Sequence, residues 1–101
     1  MTDKIFVVEM IETHPYPDEP PEVFGYYKAR ESAWERMILE CARYDDQVET
    51  GDYQTYDPDY TASDEQREVV MARASTSVGS ASVRCRNTFY EFIVYQADLL
   101  D

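Results

Sequence analysis

The sequence predicts a small α+β domain: an antiparallel sheet of about four strands, element order ββααββ, with two helices on one face. Three observations predict it. Segments 4–12 and 88–95 are dense in β-branched and aromatic residues, the composition of buried strands. Two segments between them carry helical spacing or a helix-capping pattern. The length of 101 residues makes a single domain, 1–101, large enough to bury a core, and a hydrophobic content of 44% excludes a wholly disordered chain.

Segment 4–12 (KIFVVEMIE) is apolar on nearly every position and reads as a strand buried on much of both faces. Pro15, Pro17, Pro20 and Pro21 then forbid helix and regular ladder pairing, so 13–22 is an acidic, proline-rich loop. A second strand follows at 23–28 and is expected to pair antiparallel with the first. Ala33, Trp34, Met37, Ile38, Cys41 and Ala42 lie on one helical stripe, giving a helix over about 30–44 with Trp34 as its main core anchor.

Segment 45–62 mixes acids and tyrosines without a sustained period around Gly51 and Pro58, which reads as a long loop. Ser63-Asp64-Glu65-Gln66 is a capping box with acids in the first turn, opening a second helix to about Ala74; a strand competes for this segment. Segment 75–80 reads as a small-residue linker, and 81–85 with 88–95 as a hairpin turning across Arg86 and Asn87.

No catalytic motif emerges, and a non-enzymatic protein is expected. The one histidine, His14, has no nucleophile beside it, and Gly25, Gly51 and Gly79 build no phosphate loop. Cys41 and Cys85 stand far apart with no CxxC or CxxH companion, so packed thiols are expected, with no metal site and no cofactor. From Asp45 a calcium loop begins correctly through Gln47 and Glu49, but its glycine falls at Gly51 instead of the sixth place and the twelfth is Tyr56. No segment reads as a membrane span or signal peptide, which places the chain in the cytoplasm.

Charge carries the functional expectation. Twenty-one acids face nine bases, for a formal net charge of -12. Such a surface repels nucleic acid and anionic membrane and attracts a basic protein. The acids are also clustered: eight lie between Arg43 and Arg67 with no base among them. Alternate carboxylates of an extended segment sit about 6.6 Å apart, at ~3.3 Å per residue, which is comparable to phosphate spacing along a nucleic-acid strand. The interleaved tyrosines offer flat stacking surfaces like those of bases. The expected contact set is therefore Asp45, Asp46, Glu49, Asp52, Asp57 and Asp59, anchored by Tyr53, Tyr56 and Tyr60, with Asp18, Glu19 and Glu22 as a second tract.

In size and in the charge of 44–66 the chain resembles the small acidic inhibitors of phages and other mobile elements, including anti-CRISPR proteins and DNA mimics. That resemblance implies action without catalysis, by occupying a nucleic-acid-binding groove or blocking assembly of a host nuclease complex. Acidic immunity proteins and antitoxins that neutralise basic nucleases fit the same electrostatics. A saline-adapted protein of structural role, whose acids meet only water and ions, is the alternative.

Overall fold

The computed structural model describes residues 3–12, 22–50, 60–86 and 90–99. For Asp3, Leu99 and 48–50 it describes the backbone alone. Strands β1 (Asp3–Glu12) and β2 (Glu22–Tyr27) precede helices α1 (Arg30–Thr50) and α2 (Asp64–Arg73). Strands β3 (Ser75–Ser77), β4 (Ser80–Arg84) and β5 (Tyr90–Leu99) follow. All pairings are antiparallel, in the spatial order β2-β1-β5-β4-β3.

The two apolar runs become the central pair. β1 and β5 pair over their full length, from Asp3 opposite Leu99 to Glu12 opposite Tyr90. With side chains alternating between faces, Val8 and Met10 align with Val94 and Phe92, and those with Ala81 and Val83 of β4. These residues meet Met37, Ile38 and Cys41 of α1 and Val70 of α2 in one core. α1 packs on β1, β2, β4 and β5, and α2 packs on α1 and β4. Phe92, Met37 and Ile38 are the largest side chains fully enclosed there.

Pairing of β1 with β2 slips between Val8 and Glu9: Val8 faces Gly25 while Glu9 faces Val23. Phe24 is thus the extra residue of a bulge, and its ring sits 5.5 Å from that of Phe92. Gly25 beside it leaves room for the Tyr27 ring, since a Cβ there would lie 2.9 Å from that ring and force it to move.

Four expectations are corrected. The sheet has five strands, because 75–80 is a hairpin and not a linker: Ser77 pairs with Ser80 across a turn in which Gly79 adopts φ 78°. The β4–β5 connection is longer than a turn across Arg86 and Asn87, since Arg84 pairs with Glu91 and the Cys85 amide bonds the Tyr90 carbonyl at 3.0 Å. Trp34 is only half-buried at the margin of the core, and the centre of the stripe falls at Met37, Ile38 and Cys41. Finally, α1 runs on to Thr50, so the first third of the segment expected as a 45–62 loop is helix. Asp45 and Asp46 have partners outside the helix, which offsets the weak helix propensity of aspartate. The capping box at Ser63 forms as expected, with the Gln66 amide bonding Ser63 Oγ at 3.1 Å and Gln66 Oε1 taking the Ser63 amide at 2.8 Å. The proline-rich 13–21 lies outside the described residues.

Candidate functional site

Extension of α1 carries Asp45 one turn beyond Cys41, on the buried stripe, so the expected contact residue points inward. One of its oxygens accepts from the Arg73 guanidinium at the end of α2 and the other from the Arg86 amide at 2.8 Å. Asp46, next on the helix, accepts from the Tyr60 hydroxyl at 2.5 Å and from Gln66 Nε2 at 2.8 and 2.9 Å. Burial, then the bond to Asp46, pushes the Tyr60 hydroxyl well above the ordinary tyrosine range. Asp45, Asp46 and Tyr60 are therefore brought together as the internal lacing between α1 and α2.

Of the remaining expected contacts, Glu22 is exposed at the start of the edge strand β2. Its charge adds to burial in raising the Tyr44 hydroxyl. Glu49 lies in α1 with its side chain not described. Asp18, Glu19, Asp52, Tyr53, Tyr56, Asp57 and Asp59 lie outside the described residues, as does His14.

Three arginines are committed to buried acids, and a fourth joins the two helices at the surface. Arg36 and Arg43 both hold the buried Glu40, at 3.1 and 2.8 Å. Arg67 holds Glu35 with two bonds of 2.6 and 2.7 Å, and Arg73 holds Asp45. On the outward face of α2, Asp64, Glu65 and Glu68 stand exposed and meet no cation among the described residues. At 100° per residue they share one side of the helix, with the exposed Val69 and Met71 on its flanks. Sequence reasoning missed this face because Asp64 and Glu65 served there only as first-turn acids of the capping box.

It also missed the pair of cysteines. Cys41 of α1 and Cys85, just after β4, are 44 positions apart in sequence, yet their sulfurs approach to 3.5 Å. The contact with Cys41, then burial, pushes the Cys85 thiol up, so it is protonated at neutral pH. No local motif encodes such a pair; only packing of the helix stripe onto the end of β4 creates it.

A cleft of about 150 Å³ opens between α1 and α2, lined by Asp45, Asp46, Glu65, Gln66, Val70 and Arg86 among others. Among the described residues, no helix is long and apolar enough to cross a membrane. No protein-family model, curated protein or solved structure matches the chain.

Proposed function

We propose that the protein is a non-enzymatic binding module that engages a basic protein surface through the acidic outer face of α2. The observation that carries this reading is the division of charge: Arg36, Arg43 and Arg73 neutralise the buried acids Glu40 and Asp45, while Asp64, Glu65 and Glu68 are exposed and meet no cation among the described residues. Grouped like charges cost folding energy through self-repulsion, and a cationic partner relieves it. Val69 and Met71 at the margins supply the apolar area that such an interface needs beside its charges.

Asp52, Tyr53, Tyr56, Asp57 and Asp59 precede α2 in sequence and extend the same contact set, with Asp18, Glu19 and Glu22 as a second tract. Asp45, Asp46 and Tyr60 leave that set, because all three are engaged internally. The partner chemistry fits a groove built to hold nucleic acid, which is the mode of anti-CRISPR and DNA-mimic inhibitors and of immunity proteins against basic nucleases.

The test compares the native chain with Asp64→Lys, Glu65→Lys and Glu68→Lys combined, in capture of basic nucleic-acid-binding proteins at rising salt. Expected is retention that falls as salt screens the charges, and its loss in the triple variant, which keeps a native circular-dichroism spectrum and melts only slightly lower because two first-turn acids are replaced. Equal retention by both proteins sinks the reading. The imbalance of 21 acids against nine bases also fits a solvated, saline-adapted skin. That reading gains if molar salt markedly raises the melting temperature and no basic partner binds.

A further inference from the structure

We infer that Cys41, Asp45 and Cys85 form a binding site for a thiophilic divalent cation, Zn²⁺ by the chemistry of its donors. The two sulfurs and a carboxylate oxygen all lie within 4.8 Å of one another. A tetrahedral zinc with Zn–S bonds of ~2.3 Å sets its two sulfurs about 3.8 Å apart. The observed separation of 3.5 Å needs only a slight widening. Cys41 and Asp45 stand one helical turn apart on α1, a spacing that points two donors at one centre, and Cys85 supplies the third from across the core.

The surroundings are those of a metal centre. Asp45 has a relative exposure of 7%, Cys41 0% and Cys85 3%, so the donors are screened from competing water. The carboxylate is oriented by Arg73 and by the Arg86 amide, as ligating carboxylates are held by outer partners. Charge balances as well. Zn²⁺ displaces one proton from each thiol, so two thiolates and the Asp45 carboxylate give three negative charges, against two on the metal and one on Arg73. The sum is zero, which offsets much of the cost of burying the ion.

The cleft between α1 and α2 reaches one of the three donors: Asp45 lies in its wall, and Asp46 and Glu65 also line it, placing negative charge where a cation approaches Asp45. The mixed donor set of two sulfurs and one oxygen favours Zn²⁺ over Cu⁺, which selects sulfur alone, and over Ca²⁺ or Mg²⁺, which select oxygen. Three protein donors leave a fourth tetrahedral position for water or an external ligand.

The test uses the full chain, reduced and metal-free, titrated with Co²⁺ as a spectroscopic stand-in and then with Zn²⁺. Expected are a sulfur-to-cobalt charge-transfer band with tetrahedral visible bands, saturating at one ion per chain. Zn²⁺ should then displace the cobalt, and its binding to the metal-free chain should release two protons. Cys41→Ser and Cys85→Ser each remove the band. Glu65→Gln, which keeps every ligand, leaves the saturated spectrum unchanged and slows uptake several-fold. Absence of the band in the native chain overturns the site, as does a band that survives Cys85→Ser. A thiol assay in denaturant is the third readout. Two titratable thiols per native chain are required, and fewer would show a disulfide in place of a metal site.

Discussion

Asp45 and Arg73 form an ion pair that joins α1 to the last turn of α2, and the Asp45 carboxylate also receives the amide of Arg86. The pair is largely enclosed, with side-chain exposures of 10% for Asp45 and 29% for Arg73. Removing the carboxylate leaves a partly buried guanidinium and an amide without an acceptor. Asp45→Ala should therefore cost about 2–3 kcal/mol in urea unfolding, below the ~3–5 kcal/mol of a fully buried pair because Arg73 retains some solvent. A cycle with Arg73→Ala checks the assignment: the double variant should be clearly less destabilised than the sum of the singles. Strict additivity would show that the two side chains do not interact.

Gly79 closes the β3–β4 hairpin at φ 78°, in a region that side chains with a Cβ rarely adopt. A Cβ there would meet nothing nearer than Gln96 Oε1 at 3.9 Å, so strain alone decides the outcome. Gly79→Ala should cost about 1–2 kcal/mol and Gly79→Asn distinctly less, since asparagine tolerates this conformation better. Equal losses for the two, read by denaturant melts, would assign the effect to packing.

Tyr95 donates its hydroxyl to Glu9 across the β1–β5 pair at 2.5 Å. That bond, then burial, then the charges of Glu9 and Tyr26, push the hydroxyl from its usual value near 10 up to about 12. The folded state thus holds this proton more tightly than the unfolded chain, so its contribution is complete below pH 10 and disappears as pH climbs through about 12. The stability advantage of the native protein over Tyr95→Phe should be constant from pH 7 to 9 and shrink above pH 10. A gap that stays level to pH 11.5 would mean that Glu9 does not hold the proton.

Legibility of the fold followed the locality of its causes. β1 and β5 were readable because nearly every residue of both runs is apolar, aromatic or β-branched, and α2 because Ser63 and Gln66 satisfy each other three residues apart. β3 was hidden because Ser75-Thr76-Ser77 is a run of only three exposed residues with no apolar face; the hairpin depends on one positive φ at Gly79 and on the neighbouring β4. The end of α1 was hidden for the opposite reason. Asp45 extends the buried stripe by one more turn, but an acid at that position reads as solvent-facing until Arg73 and Arg86 are placed beside it. The candidate metal donors were illegible as a set, since Cys85 reaches Cys41 only through packing of α1 against the sheet.

Gln66 is engaged at both ends of its amide: Oε1 secures the backbone of Ser63 and Nε2 grips both oxygens of Asp46. One side chain therefore serves the initiation of the second helix and the anchoring of the first. Fraying of either helix end at this junction releases the other, so amide exchange in the last turn of α1 and the first turn of α2 should be coupled.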